Sequence, residues 1–245
     1  MIEPCIREVN GEAMAEPWYF GSECDGGFAE YAVVSSNHAH KIVSEFSDIE
    51  LASFPCSYST AENLLTKSNV KAEDIVLITG ASGGVGSAAI QLATARGATV
   101  IAITSPEKSQ EILDLGASKV IHRDESIVRT LGKNSIDVVI DMVAGKSWTE
   151  LLDVLKPGGR YAVAGAIAGP LVELDIRTLY LKDLTFFGCT VLEHNVFANL
   201  IRRIESGDIK PIVAHSFALD KIVEAQEAFL EKKHIGKIVL AVSAS

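Results

Sequence analysis

The stretch "TGASGGVGSAAIQLA" (residues 79–93) sets four glycines within eight residues, directly behind the apolar run "DIVLI" (74–78). Glycine loses more conformational freedom on folding than any other residue, so a loop this bare answers a backbone requirement. The apolar run reads as a buried strand and the alanine-rich run behind the glycines as a helix. Gly80, Gly83 and Gly86 stand in G-x-x-G-x-x-G order, and residues 84–89 also fit G-x-G-x-x-A. Together with Ala81, Ser82, Gly84 and Val85 they form a strand–loop–helix corner. There the backbone turns tightly and comes close to a pyrophosphate, whose charge meets N–H groups at the positive end of the helix. The plainer alternative is a tight turn that holds nothing. A triphosphate-binding loop is excluded, because Gly86-Ser87-Ala88 lacks the required lysine.

Working outward, the chain from Asp74 alternates short β-rich runs with helical stretches. The strand candidates are 75–79, 99–104, 119–122, 136–141, 160–165 and 184–190, with helical segments near 84–96, 107–115, 125–132 and 147–155. Near-continuous apolar strands separated by helices imply a parallel sheet covered on both faces. Six of them predict an α/β, doubly wound parallel sheet in the order 3-2-1-4-5-6. Residues 1–70 differ: "GGFAEYAVVSSNHAHKIV" (26–43) alternates like antiparallel β, and "SDIELASFPCSYSTAENLL" (47–65) reads as a helical entry to the parallel domain. Beyond the sheet, "FANLIRRIES" and "LDKIVEAQEAFLEKK" read as amphipathic helices and "GKIVLAV" as a closing strand.

The end of the second parallel strand bears on which dinucleotide fits. A carboxylate there holds both ribose hydroxyls of NAD. This chain has Thr104 and Ser105 instead, then Lys108, and Arg123 follows the third strand. Hydroxyls and cations in place of the acid favour a 2′-phosphate, hence NADP(H) over NAD(H). The alternative is that Lys108 and Arg123 are ordinary solvated charges.

Composition narrows the partners. A net charge of −10 and a pI near 5.1 argue against nucleic acid and anionic membranes. With 48% hydrophobic residues and a mean hydropathy of +0.24, the chain can bury a sizeable core. No apolar stretch reaches the ~20 residues of a membrane span, and the first residues do not read as a signal peptide. A cytoplasmic protein acting on a small molecule is expected. Cys5, Cys24, Cys56 and Cys189 form no C-x-x-C pair, so neither a disulfide framework nor a closed zinc site is expected. His38 and His40 would share a strand face, which permits a site, but surface histidines are the expectation. Arg202 and Arg203 read as a solvated helix edge.

"TGASGGVG" also fits the start of short-chain dehydrogenases, which need Tyr-x-x-x-Lys. Four residues after Tyr19, Tyr31, Tyr58, Tyr161 and Tyr180 stand Glu23, Ser35, Glu62, Gly165 and Leu184, so that reading fails.

The chain instead resembles the medium-chain dehydrogenases/reductases, which include zinc alcohol dehydrogenases and quinone oxidoreductases. The resemblance rests on "GGFAEYAVV" (26–34), "LASFPCSYSTAENLL" (51–65), residues 80–102, "LGASKVI" (115–121), "DVVIDMVAG" (137–145), "LLDVLKPGGRYAVAG" (151–165) and "GKIVL" (236–240). It implies a remnant of a GroES-like β substrate domain over 1–60, a Rossmann domain over 61–195, and helices and a strand over 196–245 returning to the substrate domain. Family members normally carry a further N-terminal segment of domain length, with most zinc ligands and proton-relay groups, so a truncated chain is expected.

The resemblance places Cys56 where zinc alcohol dehydrogenases carry a catalytic zinc ligand, which makes it a candidate single ligand. It sets Thr60 against the nicotinamide and adds cofactor contacts from Val143, Ala144 and Gly145, from Gly165 and Ala166, and from Phe187, Gly188 and Cys189. For each of these the alternative is a sheet end that touches no ligand. The expected function is hydride transfer between a nicotinamide and an alcohol, carbonyl or conjugated enone. The rivals are a zinc-free quinone oxidoreductase and a nucleotide-binding or dimerisation module without catalysis. The β-rich sixth strand predicts a homodimer.

Overall fold

The computed structural model describes residues 1–9 and 12–242. An antiparallel pair comes first, β1 (Cys5–Val9) and β2 (Glu12–Tyr19). Two helices lead into the parallel region, α1 (Asp48–Ala52) and α2 (Pro55–Lys67). Ser47 and Glu50 close a reciprocal capping box on the first, and a proline opens the second, where its missing N–H costs nothing.

The alternating region then runs β3 (Ile75–Ile78), α3 (Gly84–Ala95), β4 (Thr99–Thr104), α4 (Ser109–Asp114), β5 (Lys119–His122), α5 (Ile127–Leu131) and β6 (Ile136–Asp141). It continues through α6 (Trp148–Val154), β7 (Leu155–Val163), α7 (Ile176–Leu181) and β8 (Thr185–Gly188). The chain closes with α8 (Val196–Glu205), β9 (Val213–Ala218), α9 (Ile222–Leu230) and β10 (Lys237–Ala241).

Six strands form one sheet in the order β5-β4-β3-β6-β7-β8, every neighbouring pair parallel. This is the doubly wound 3-2-1-4-5-6 order that the alternation predicts. Successive strand residues point to opposite faces, and the core divides accordingly. Val76, Ile78, Val138 and Ile140 join α2, α3 and α8 on one side. Leu77, Val139 and Tyr161 join Trp148, Leu151 and Leu152 of α6 on the other. Helix α2 runs across residue 60 and is fastened to the end of α3 by Arg96, whose guanidinium lies 2.6 Å from the buried Glu62 carboxylate.

Strand β7 begins at Leu155, before the predicted residue 160. Leu155 pairs with Ile136, and the register shifts before Arg160 pairs with Val138. The parallel pairing of β9 with β10 was not expected, since "VAHSFA" carries no clean alternation.

One expectation is overturned. Residues 26–43 contain no strand; a short 3-10 turn (Ser36–His38) and an isolated bridge between Ile2 and Ala39 are the regular features there. Alternation makes a strand only when a partner accepts its backbone hydrogen bonds and covers its apolar face. Here Phe28, and on the opposite parity Tyr31 and Val33, are 73%, 90% and 99% exposed, so neither face is covered.

Candidate active site

The glycine loop joins β3 to α3, and its glycines answer distinct demands. Gly80 adopts φ +58°, a left-handed conformation that costs other residues roughly 1–2 kcal/mol. A Cβ at Gly86 would lie 2.3 Å from the Gly80 carbonyl oxygen, so only glycine lets the helix start close against the loop. A Cβ at Gly84 would meet Ser57 Oγ at 2.6 Å and Lys237 Cδ at 2.8 Å, which brings α2 and β10 to the same corner. Ala81 and Ser82 are buried, and Val85 packs against the core. Gly83 caps α3 with no side chain on the first-turn N–H groups. Those donors and the positive helix end suit a pyrophosphate.

Beside this loop, at the carboxyl ends of β6 and β7, a buried carboxylate organises the neighbouring turns. Asp141 is 0% exposed and accepts hydrogen bonds from Thr79 Oγ1 at 2.5 Å, Tyr161 Oη at 2.6 Å and the Val143 N–H at 2.8 Å. The Ala144 N–H adds a bond at 3.1 Å, and Thr79 Oγ1 in turn accepts from the Met142 N–H. Ala144 is held at φ +53° and Gly145 at φ +68°. The Ala168 N–H donates to the Val143 carbonyl, and a Cβ at Gly165 would lie 2.8 Å from the Met142 carbonyl oxygen. Val143, Ala144, Gly145, Gly165 and Ala166 therefore belong to two touching turns, and Val143 also borders Gly80.

The remaining nicotinamide-side candidates divide. Gly188 has open space where a side chain would stand. Phe187 packs partly against the core, and Cys189 is buried, its thiol pushed up by burial. Cys189 thus offers main-chain atoms at most. Thr60 is half-buried, with its hydroxyl donating to the Cys56 carbonyl at 2.8 Å.

At the carboxyl end of β4, Thr104 is fully buried and its Oγ1 has no partner among the described residues, whereas Arg123, after β5, is exposed. Ser105, half-buried, opens the turn that carries Glu107 and Lys108. Lys108 Nζ donates to the carbonyls of Lys232 at 2.8 Å and His234 at 2.7 Å. Burial, and next the Arg123 charge, pull the Lys108 ammonium below its ordinary pKa. His234 is likewise lowered, by burial first and then by Lys108, His215, Lys232 and Lys237. Lys108 thus ties the chain at residues 232–234 to the turn after β4, and Lys237, close behind that segment, borders Gly84 of the glycine loop. The sequence reading missed Lys237 and the anchoring of Lys108. The "GKIVL" stretch marked the first, but the second depends on a contact across 126 positions.

A catalytic zinc needs three protein donors. Cys56 is exposed, and among the described residues no group of three or more His, Cys, Asp or Glu is placed to hold a metal. The residues present do not fit zinc. The histidine expectation also needs correction: His38 is buried, 5% exposed, and its ring and that of His40 both face Glu3, at 3.9 and 3.6 Å. No strand carries them, so it is the 3-10 turn and the chain after it, not a strand face, that bring the buried His38 and the half-buried His40 to Glu3. Arg203 pairs with Asp208 at 2.7 Å on the edge of α8.

The zinc-binding dehydrogenase family profile matches residues 84–206. A quinone oxidoreductase from Pongo abelii is 32% identical over 253 residues, covering 96% of this chain and 76% of that protein. A solved structure from Sinorhizobium meliloti 1021, assigned to the alcohol dehydrogenases, superposes with a TM-score of 0.92 at 41% identity, over 98% of this chain and 68% of that one. The 2-octenoyl-CoA carboxylase reductase CinF, solved with NADP and 2-octenoyl-CoA, superposes with a TM-score of 0.85 at 26% identity, over 94% and 58% of the two chains. The cradle at the sheet's switch point and these likenesses agree: the chain belongs to the zinc-binding dehydrogenase family, within the medium-chain dehydrogenase/reductase superfamily of oxidoreductases.

Proposed function

We propose that the chain is an NADPH-preferring oxidoreductase that transfers hydride between the nicotinamide and a small carbonyl, alcohol or conjugated enone. The observation that carries the cofactor preference is the end of β4, where Thr104 and Ser105 replace a carboxylate while Lys108 and Arg123 stand nearby. The nicotinamide supplies the hydride chemistry when bound. The chain supplies binding and orientation: the first turn of α3 takes the pyrophosphate, with Lys237 beside it. Arg123 neutralises a 2′-phosphate. The paired turns at Val143–Gly145 and Gly165–Ala166, fixed by Asp141, support the nicotinamide half.

Among the described residues Cys56 has no companion ligands, so no step is assigned to a metal. CinF, with its bound 2-octenoyl-CoA, favours substrates whose double bond is conjugated to a carbonyl. The division into a substrate-domain remnant (1–60), a Rossmann domain (61–195) and a returning C-terminal part (196–245) belongs to this proposal, as does homodimerisation. The test is NADPH oxidation with a quinone, a simple enone, an enoyl thioester and, in reverse, a primary alcohol. Turnover of the conjugated acceptors supports the reading. Binding of NADPH with no turnover of any substrate would leave a nucleotide-binding module instead.

A further inference from the structure

The segment 231–236 joins α9 to β10 and passes beside the glycine loop. It is fastened at two places. Lys108 Nζ holds the carbonyls of Lys232 and His234, and the Gly236 N–H donates to the Ser82 carbonyl at 3.3 Å. Ile235 anchors it in the main core. The segment contains two residues of positive φ, Lys232 at +57° and Gly236 at +82°, so its path depends on these fastenings.

Its electrostatics point the same way. The Lys108 ammonium senses the Arg123 charge, with Glu111 and Glu107 as its nearby counter-charges. The His234 ring senses Lys108, His215, Lys232 and Lys237, and its buried Nδ1 has no partner among the described residues. The His234 ring is thereby pushed toward its neutral form, whereas Lys108 and Arg123 remain like charges whose repulsion an anion placed between them relieves. Two of the three N–H bonds of Lys108 are committed to carbonyls, which leaves one to turn toward an anion.

We propose that Lys108 is a positioning residue that couples recognition of the cofactor's 2′-phosphate to closure of the 231–236 strap over the glycine loop. This rests on the NADP(H) reading and deepens it. Arg123 is then the cation that meets the phosphate, and Lys108 is the latch that the phosphate tightens. By reciprocity, whatever closes the strap also tightens the cofactor.

Amide hydrogen exchange over 231–238 tests this, on the intact chain, free and saturated with 2′,5′-ADP, NADPH or NADH, with binding followed separately by calorimetry. The expected result is that 2′,5′-ADP and NADPH slow strap exchange by about tenfold, a coupling in the usual allosteric range, and that NADH slows it less. Lys108→Met should speed strap exchange in the free protein and abolish the phosphate-dependent slowing. Arg123→Met should weaken 2′,5′-ADP binding yet keep the slowing once the site is saturated. Binding of 2′,5′-ADP without strap protection, or equal exchange in the parent and Lys108→Met chains, overturns the coupling alone. Failure of 2′,5′-ADP to bind overturns the cofactor reading, and the coupling falls with it.

Discussion

Tyr161 on β7 donates its phenolic hydrogen to Asp141 Oδ2 on β6 across 2.6 Å, with both residues buried. The same carboxylate holds Thr79 at the mouth of the glycine loop and the two N–H groups of the Val143–Ala144 turn. Asp141→Ala strands these donors, and we expect a loss of about 3–5 kcal/mol in chemical denaturation, as for breaking a buried charged network. Tyr161→Phe removes one donor and should cost about 1–2 kcal/mol. An Asp141→Ala chain as stable as the parent would refute the organising role of the carboxylate.

The phenols also make stability fall in alkali. Burial pushes Tyr161 above its ordinary pKa of 10.0, and the Asp141 charge and hydrogen bond raise it further; burial likewise raises Tyr58. A folded pKa above the unfolded one gives stability that is complete below pH 10.0 and is lost as pH rises beyond it. The difference in unfolding free energy between the parent and Tyr161→Phe should therefore shrink from pH 9 to pH 12, a window set by the ordinary phenol value of about 10. A difference that stays constant across that window contradicts the assignment.

Backbone closeness at the glycine loop predicts a sharp contrast between positions. Gly86→Ala sets a Cβ 2.3 Å from the Gly80 carbonyl oxygen, whereas Gly188→Ala meets nothing within 4 Å. The first substitution should weaken NADPH binding by at least about tenfold, equivalent to about 1.4 kcal/mol, and lower Tm. The second should leave Tm within a degree or two, as a change at an open position allows. Equal effects at the two glycines would be inconsistent with the packing.

The four cysteines should react in order of exposure. Cys56 is exposed, Cys24 half-buried, and Cys5 and Cys189 are buried with thiols raised chiefly by burial. Mass-resolved alkylation should modify Cys56 first and the buried pair only on unfolding. Zinc content of this chain should be unchanged by Cys56→Ser, since no ligand set surrounds Cys56 among the described residues.

The parallel sheet was legible because each strand is buried on both faces and announces itself as an apolar run, and the order β5-β4-β3-β6-β7-β8 follows from the alternation with helices. The glycine corner was legible because steric demands such as that on Gly86 admit one residue type. Residues 26–43 misled because period-two alternation states a preference for a covered, paired face, and Phe28, Tyr31 and Val33 have neither cover nor partner. The Asp141 network was hidden in a strand with an acid near each end, since nothing local in "IDVVID" distinguishes the buried Asp141 from Asp137, which pairs with Lys156. Lys108 was legible as a cation near the cofactor end of β4, but its fastening to the strap depends on chain brought back from residues 232 and 234.

On the proposed function, β4 ends in a site for a phosphorylated ribose. A fluorescence titration with NADPH and NADH, repeated on Arg123→Met, tests it most directly. NADPH is expected to bind at least about tenfold tighter than NADH, a margin of about 1.4 kcal/mol that collapses in Arg123→Met. Tighter binding of NADH, or a margin indifferent to Arg123, would contradict it.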